Sequence, residues 1–250
     1  MTVVIPTLNE APSVVATLNA VQQFSESVEV IVVDGGSTDN TFALAEGCRA
    51  QVVSGPQGRG SQLRVGAALG KGELLFFLHA DSLPPGDTVQ RITQAMSDPA
   101  VVGGNFEIRF AGEFFAARFL TWLYHHLSLI GLRYGDSGFF VRRLDYEAVG
   151  GFRPYPIFED LDLLRRLRKR GRFVRVPAVV TTSSRRFEGR YFARVFAWWT
   201  VLQILYWLGV SPIRLGRWYR HIREPVRSKG DGTAVTANAQ SENPYAPAIR

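Results

Sequence analysis

The feature that most constrains the fold is a short apolar segment that ends in a carboxylate. Residues 74–78 are five consecutive apolar side chains, a run too short for a buried helix. Such a run favours a central strand that is covered on both faces, as in a parallel sheet. His79 and Asp81 follow it, which predicts that Asp81 lies at the carboxyl edge, where open α/β sheets bind ligands. Asp81 is interpreted either as a ligand of a divalent metal that faces a phosphate or as the cap of the next helix.

The same pattern occurs earlier in the chain. Apolar strands are predicted at residues 2–6, 28–33 and 51–54, each followed by a helical segment. This order predicts right-handed crossovers and a doubly wound, mostly parallel sheet flanked by helices. Asp34 ends the second strand in a glycine-containing loop, where it would accept hydrogen bonds from a nucleotide base or sugar. Arg59, in the glycine-rich loop after the third strand, is a reasonable contact for a phosphate or a base.

Charge is distributed unevenly, which limits the class of partner. Residues 1–110 hold 6 basic and 11 acidic residues, a balance of −5, whereas residues 111–250 hold 23 and 11, a balance of +12. The excess of arginine favours phosphorylated ligands or an anionic membrane surface. Motifs typical of nucleic-acid-binding proteins are not found, so no nucleic-acid partner is expected. The single Cys48 excludes a disulfide framework and a cysteine metal cluster.

Polar turns in the second half of the chain are further candidates for a site. Asp136 lies in a Gly-Asp-Ser-Gly turn and would either bind sugar hydroxyls or serve as an ordinary turn residue. Glu159 and Asp160 open a predicted helix, where the helix dipole alone favours carboxylates. Arg185 and Arg186 follow the last predicted strand. One of them is expected at a diphosphate, where leaving-group charge must be neutralised, unless the two form a surface basic pair.

The C-terminal third contains an uncharged apolar segment, residues 195–210. It is shorter than the roughly 20 residues that span a bilayer, while its three Trp and basic flanks suit a helix lying at a membrane interface. Packing on the domain and a dimer surface are the other two interpretations. Residues from 224 onward have the composition of a disordered tail. The N-terminus lacks the pattern of a signal peptide, so we expect a cytoplasmic protein. The membrane surface that such a protein could bind is the inner face of the cell membrane.

Five motifs in a fixed order carry a family resemblance: VVIPTLNE, VDGGSTDNT, the GRG loop, ELLFFLHAD and FEDLDLLRRLRKRG. With this order and spacing the chain resembles the family 2 glycosyltransferases, enzymes of the nucleotide-sugar-binding GT-A fold, over roughly residues 1–185. The segments HAD, GDSGFFVRR and SSRRFEGR further resemble a subgroup associated with arsenosugar biosynthesis. The resemblance implies Mg or Mn as cofactor and inversion at the anomeric carbon.

The resemblance assigns donor-side roles to positions already selected. The donor-binding residues would be Pro6, Thr7, Glu10, Asp34, Arg59, Asp81, Arg185 and Arg186. Asp34 would bind the uracil or the ribose, and Asp81 would be the metal carboxylate of the family's Asp-x-Asp motif. His79 stands at the first acidic position of that motif, a departure that leaves one carboxylate instead of two. His79 is therefore either a metal ligand together with Asp81 or a residue that orients the loop.

On the acceptor side, the resemblance makes Asp160 the general base that takes the proton of an acceptor hydroxyl. Glu159 and Asp136 would lie at the acceptor. The predicted reaction moves a sugar from a nucleotide sugar, most simply a UDP-sugar, to an unknown hydroxyl acceptor that is soluble or lipid-linked. A nucleotidyltransferase of similar fold would need a glycine-rich loop after the first strand, where this chain has residues 7–10. A non-catalytic, membrane-associated nucleotide-binding protein would bind the donor without turnover.

The predicted organisation is a single α/β domain with an appendage. A GT-A-like domain, with a doubly wound, mostly parallel sheet flanked by helices, is expected at residues 1–185. A C-terminal helical appendage is expected at residues 186–223, followed by the disordered tail at residues 224–250.

Overall fold

A computed structural model describes residues 1–24, 27–129, 131–132, 134–185 and 192–223. Within these residues a single eight-stranded sheet forms, in the order β3-β2-β1-β4-β7-β6-β8-β5. The strands are β1 (Thr2–Thr7), β2 (Glu29–Asp34), β3 (Gln51–Ser54), β4 (Leu74–Phe77), β5 (Ser82–Leu83), β6 (Val101–Phe110), β7 (Phe139–Arg142) and β8 (Arg172–Thr182).

Helices cover the sheet and extend beyond it. They are α1 (Val14–Gln22), α2 (Thr41–Glu46), α3 (Arg59–Leu69), α4 (Thr88–Ala95), α5 (Phe115–Leu129), α6 (Arg143–Ala148), α7 (Glu159–Leu167), α8 (Phe192–Trp207) and α9 (Pro212–Arg223), with one 3₁₀ turn at Gly135–Ser137. Among the described helices, none combines the length and the apolar character that a membrane crossing requires.

The sheet has a parallel half and a mixed half. Strands β3, β2, β1 and β4 are all parallel, which confirms the fold class predicted from the alternation of strands and helices. In the other half, β6 and β8 are parallel, whereas β7 runs antiparallel to both β4 and β6. The short edge strand β5 pairs antiparallel with β8 and was not predicted, because two residues next to Pro84 carry no strand pattern.

Strand β6 is continuous through Gly103 and Gly104, where the glycine pair suggests a break. A Cβ on Gly103 would lie 2.5 Å from the Phe140 carbonyl oxygen, and one on Gly104 would lie 2.4 Å from the Phe140 ring. The glycines therefore let β6 and β7 approach closely, and the strand continues. Irregularities in its register with β8 occur between Val101 and Gly103 and again after Phe106.

The strand that most constrains the fold is buried on both faces, as its sequence predicts. Phe76 and Leu78 join a cluster with residues of α1 and α4 on one side of the sheet. Leu75 and Phe77 join a cluster with residues of α3, α6 and α7 on the other side. All four side chains are at most 3% exposed, so β4 is the central strand and its carboxyl end is held firmly at the edge of the sheet.

The C-terminal helices pack on the domain through a third cluster. Its buried members include Tyr134, Phe158, Leu202 and Leu215, and Trp199 packs against them. The inner face of α8 therefore contacts the domain, as one of the three interpretations of residues 195–210 requires. The opposite face of α8 is exposed.

Candidate active site

Arg59 is the centre of the candidate site. It is the first residue of α3, and its Nη1 atom lies 3.1 Å from His79 Nε2 and 3.4 Å from Asp136 Oδ1. Its Nε donates to Glu159 Oε1, and its Nη2 lies 3.8 Å from Asp160 Oδ2. Five residues that were selected from four separate segments of the sequence thus meet at the carboxyl end of β4.

The Arg59 guanidinium lies close to three carboxylates in this cluster, and these charged groups shift the pKa of Arg59 and of Glu159. Burial raises the pKa of Glu159; Arg59 opposes that shift and neighbouring Asp160 adds to it. Burial lowers the pKa of Arg59, but Glu159, Asp160 and Asp136 outweigh burial and raise it overall, so the guanidinium stays charged. The Glu159 residue is 1% exposed, and without Arg59 its carboxylate would be a buried charge lacking a cation.

His79 has both ring nitrogens engaged inside this cluster. A guanidinium only donates hydrogen bonds, so the contact with Arg59 makes Nε2 of His79 the acceptor. The proton then lies on Nδ1, which is 3.1 Å from Asp136 Oδ1. This arrangement suits the interpretation in which His79 orients the loop, and it also gives Asp136 a role beyond that of a turn residue. A metal bound at Nε2 would have to displace Arg59.

Asp160 is held by the backbone instead of by the guanidinium. Its Oδ2 accepts the Gly135 N–H at 2.6 Å and its Oδ1 accepts the Leu161 N–H at 2.8 Å. A Cβ on Gly135 would lie 3.2 Å from Asp160 Oδ2, so glycine permits this close approach. Glu159 and Asp160 both line the cavity described next, but they differ in their partners: Glu159 is paired directly with Arg59, and Asp160 is held by two backbone N–H groups.

A cavity of about 270 Å³, counting the part open to solvent, lies beside these groups. Its lining residues are Arg59, Leu63, Phe77, His79, Gly135, Phe139, Phe152, Glu159 and Asp160. Its lining combines apolar side chains with the charged cluster.

Phe158 orients the two carboxylates and was not singled out from the sequence. It precedes α7 with a φ of 61°, a left-handed conformation that is unfavourable for a bulky residue. Its buried ring packs edge-on against Trp199, with ring centroids 5.6 Å apart, and in a tilted arrangement against Tyr206, with centroids 4.8 Å apart. These contacts with α8 hold the residue in place. Strained backbone of this kind is concentrated at functional sites. A helix that follows an aromatic residue and opens with two acids was the available signal.

Asp34 lies at the end of β2 and is buried in a network of its own. Its Oδ1 accepts from Thr7 at 3.0 Å and from the Ser37 hydroxyl at 2.5 Å, while its Oδ2 accepts from the Gly36 and Ser37 N–H groups. Asp34 therefore organises the loop that follows β2. A nucleotide that uses this carboxylate would share or replace one of these four donors.

Gln62 connects the ends of β1 and β2 to α3 and was missed by the sequence analysis. Its Nε2 donates to the Thr7 and Val33 carbonyl oxygens, each at 2.8 Å. It is buried, and the sequence carries no signal of this burial, because Gln62 follows Ser61 in an otherwise ordinary helical segment. Pro6 lies inside β1, paired with Val33.

Glu10 and Arg185 meet at the same edge although 175 residues separate them. Arg185 Nη2 donates to Glu10 Oε2 at 2.9 Å and to Ser13 Oγ at 3.2 Å. The pair connects the loop after β1 to the segment that leaves β8. Arg186, the other candidate for a diphosphate contact, lies outside the described residues.

Asp81 lies in the turn after β4, close to the end of β8. Its Oδ1 is 3.5 Å from Thr182 Oγ1, and its carbonyl oxygen accepts the Ser183 N–H at 3.0 Å. Within the residues that the structure describes, no group of three His, Cys, Asp or Glu side chains could hold a metal. A single carboxylate still fits Mg²⁺ or Mn²⁺, because Mg²⁺ is commonly bound by one or two carboxylates together with substrate phosphates.

Taken together, the fold and the site define an α/β protein with a charged cluster and a candidate metal carboxylate at the carboxyl edge of a mostly parallel sheet. The profile of glycosyl transferase family 2 matches residues 2–151. The chain belongs to this family.

Relatives with curated names are glycosyltransferases. An uncharacterised glycosyltransferase of Nostoc sp. is 30% identical over 111 residues, 41% of this chain and 34% of the relative. The glycosyltransferase AglE of Haloferax volcanii is 32% identical over 122 residues, 44% of this chain and 40% of AglE. The matched regions thus span about a third to two fifths of the length of these relatives.

Two solved structures share the fold. The mannosyltransferase PcManGT from Pyrobaculum calidifontis, in complex with GDP-Man and Mn²⁺, superposes with a TM-score of 0.68 at 20% identity, over 89% of this chain and 70% of that chain. Glucosyl-3-phosphoglycerate synthase from Mycobacterium tuberculosis, in complex with Mn²⁺, UDP and glucosyl-3-phosphoglycerate, does so with a TM-score of 0.55 at 22% identity, over 78% and 74%. Both likenesses establish the GT-A fold.

Proposed function

We propose that this protein transfers a sugar from a nucleotide sugar, with a UDP-sugar as the first candidate, to a hydroxyl acceptor with inversion. The observation that carries the proposal is the position of Asp160. Its carboxylate borders the cavity, is held by two backbone N–H groups, and lies in one cluster with the end of β4. Family membership supports the reaction class, and PcManGT and the mycobacterial synthase bind a nucleotide sugar and UDP in their own complexes.

Asp160 is assigned as the general base in preference to Glu159. Both carboxylates are buried, but their partners differ. The charge of Glu159 is neutralised by a direct ion pair with Arg59, whereas Asp160 lies 3.8 Å from that guanidinium. In the reaction, the acceptor oxygen forms a bond to the anomeric carbon while the bond from that carbon to the diphosphate oxygen breaks. The acceptor proton passes to Asp160, and the nucleoside diphosphate leaves with the bonding electron pair.

The donor would lie along the edge formed by the ends of β1, β2 and β4. Thr7 and Asp34 would lie at its base-binding end. Arg185, two residues after the Ser183 N–H that donates to the Asp81 carbonyl oxygen, would lie at the diphosphate end. The guanidinium of Arg185 would stabilise the charge of the departing diphosphate. A divalent cation, when bound by Asp81, would supply further charge stabilisation to the diphosphate oxygens.

The test is a screen of donor hydrolysis and transfer across a panel of nucleotide sugars with different bases and sugars. The proposal predicts turnover with a restricted set of donors and release of the nucleoside diphosphate. Release of pyrophosphate from a nucleoside triphosphate and a sugar phosphate would instead identify a nucleotidyltransferase. Tight donor binding without turnover, tested with a broad acceptor panel that includes lipid-linked sugars, would identify a non-catalytic binding protein.

A further inference from the structure

We propose that the exposed faces of α8 and α9 form a docking surface for an anionic phospholipid bilayer, with α8 lying in the plane of the interface. This surface, called here the α8–α9 surface, comprises the exposed side chains of Arg194, Trp198, Val201, Ile204, Trp207, Leu208, Ile213, Arg214, Arg217 and Trp218. Its membrane binding does not depend on the proposed enzymatic activity, so the two proposals fail independently.

Within the part of the chain that the structure describes, the pattern of α8 leaves an apolar face without cover. Leu202 and Gln203 are buried against the domain, and they define the inner face of the helix. Trp198, Val201 and Ile204 recur at helical spacing on the other side and are 42%, 44% and 46% exposed. A helix that is apolar on all sides is normally buried completely or in contact with lipid. The outer face of α8 therefore has the composition of a surface that contacts lipid or another molecule.

The aromatic residues on this surface are of the type that membrane interfaces select. Trp207 is 55% exposed near the end of α8, and Trp218 is 49% exposed on α9. Tryptophan is enriched at the level of the lipid headgroups, where its apolar ring and its N–H group are both accommodated. A helix with such a face binds in the plane of the interface with its apolar side in the boundary of the acyl chains.

Charge identifies which lipid surface this face suits. Residues 192–223 contain no Asp or Glu, and Arg194, Arg214 and Arg217 are exposed among the apolar side chains. Arg194 lies four residues before Trp198, so it borders the same stripe of α8. A face that carries only positive charge is complementary to an anionic leaflet.

The same charges disfavour a second copy of the chain as the partner. A twofold dimer through the α8–α9 surface would bring Arg194, Arg214 and Arg217 of both copies into one interface, and the face supplies no carboxylate to pair with them. Placing like charges opposite each other opposes association.

An exposed stripe on α5 extends the surface. Phe119 of α5 packs edge-on against Phe192 and Phe196 at the start of α8, with ring centroids 6.2 and 5.6 Å away. Trp122, one turn further along α5, is 56% exposed. Residues 115–129 also contain no acidic residue, so this helix continues the apolar and basic character of the surface.

The experiment is flotation of the full chain with vesicles of phosphatidylcholine alone and of phosphatidylcholine with phosphatidylglycerol. The wild-type protein is expected to float with the anionic vesicles and to be released by high salt. The double variant Trp198→Ser with Trp207→Ser should lose at least tenfold in partitioning. The triple variant Arg194→Gln, Arg214→Gln and Arg217→Gln should lose roughly a hundredfold, because each arginine near an anionic surface strengthens partitioning roughly fivefold.

The matched control is Leu144→Ser, which removes a side chain that is 73% exposed on α6, outside the α8–α9 surface. It should partition like the wild-type protein, and far-UV circular dichroism should show that every variant is folded at the temperature of the flotation assay, because the substituted side chains belong to the exposed class. The proposal is overturned if the wild-type chain does not float with anionic vesicles, or if it floats equally with neutral ones. It is also overturned if sedimentation shows a dimer that the Trp198→Ser, Trp207→Ser variant dissociates.

Discussion

Among single residues, Arg59 has the contacts on which the charged cluster depends. Its guanidinium faces Glu159, Asp160 and Asp136, and two of these carboxylates are buried. Removing one partner of a buried ion pair typically costs 3–5 kcal/mol. The Arg59 side chain is 34% exposed, so solvent screening reduces the expected cost of Arg59→Ala to about 2 kcal/mol of unfolding free energy.

The loss of stability in Arg59→Ala should depend on pH. Without the cation, the pKa of Glu159, which burial already raises, rises further above its value in the unfolded chain. The folded variant then binds a proton more tightly than the unfolded chain, so its stability falls as the pH rises through this range. The melting temperature of Arg59→Ala should therefore lie further below that of the wild-type protein at mildly alkaline pH than at mildly acidic pH.

Arg64→Ala is the control for this measurement, because Arg64 lies on the same helix and is exposed. It should have a small and pH-independent effect. An equal loss of stability at both pH values in Arg59→Ala would show that the carboxylates do not depend on Arg59.

Asp81 is the second residue with a testable role. The proposal predicts that turnover requires Mg²⁺ or Mn²⁺ and that Asp81→Ala lowers activity by on the order of a hundredfold or more, because charge stabilisation by a bound metal supplies several kcal/mol. The enhancement of UDP binding by Mn²⁺, measured by titration calorimetry, should disappear in the same variant. Asp87→Ala removes an exposed acid that pairs with Arg91 and should change neither quantity. Full activity of the wild-type enzyme in excess chelator would contradict the metal assignment.

At the scale of elements, α8 supports the segment that carries Glu159 and Asp160. Trp199 contacts both Phe158, which precedes α7, and Tyr134, which precedes the turn whose Gly135 N–H binds Asp160. The Tyr134 hydroxyl also donates to Gln203 of α8 at 3.2 Å. One face of α8 therefore holds Asp160 in place through two separate contacts.

This arrangement predicts a difference between adjacent tryptophans. Trp199→Ala should destabilise the protein by about 3 kcal/mol, as truncation of a packed aromatic side chain does. It should also lower kcat by about tenfold or more, because Asp160 loses its exact position. Donor affinity should change little, since the ring contacts of Trp199 in the described part of the chain are with Tyr134 and Phe158, which are not donor-side residues. Thermal unfolding and initial rates below the melting temperature separate the two effects.

Trp198→Ala is the matched control, because Trp198 is the neighbouring tryptophan of α8 and is 42% exposed. It should keep the wild-type kcat in a soluble assay. Equal loss of kcat in both variants would show that the helix as a whole, and not the contact of Trp199 with Phe158 and Tyr134, determines the rate.

At the scale of the whole molecule, local patterns predicted the parallel half of the sheet. Each of its strands contains consecutive apolar residues and precedes a turn and a helix. These signals lie within a few neighbouring residues, so they can be recognised locally. The antiparallel direction of β7 and the edge strand β5 depend on pairing with β4, β6 and β8. Those partners are distant in sequence, so no local pattern encodes them.

The candidate site shows the same division. The sequence identified Arg59, Glu159 and Asp160 as functional candidates because each follows a recognisable turn or opens a helix. It did not predict that Arg59 pairs with Glu159, which lies 100 residues away, or that His79 is held between Arg59 and Asp136. The contacts of Phe158 with α8 were missed because its partners, Trp199 and Tyr206, are distant from it in sequence.

The central claim is that Asp160 takes the proton of the acceptor, and replacement by asparagine tests it. Asp160→Asn keeps the size of the side chain, and its remaining carbonyl oxygen can still accept a backbone hydrogen bond, but it cannot take up the proton. Asp162→Asn is the control, because Asp162 lies two residues further along α7 and pairs with Arg166, outside the cavity. Both variants should fold.

The measurement is kcat together with the dissociation constant for UDP from titration calorimetry, for the wild-type protein and both variants. Asp160→Asn should lower kcat by about 10²–10⁴-fold, the usual contribution of general-base catalysis, with UDP affinity nearly unchanged. Asp162→Asn should leave both quantities close to those of the wild-type protein. If Asp160→Asn instead weakens UDP binding in proportion to its loss of kcat, Asp160 is a donor ligand and Glu159 becomes the first candidate for the base.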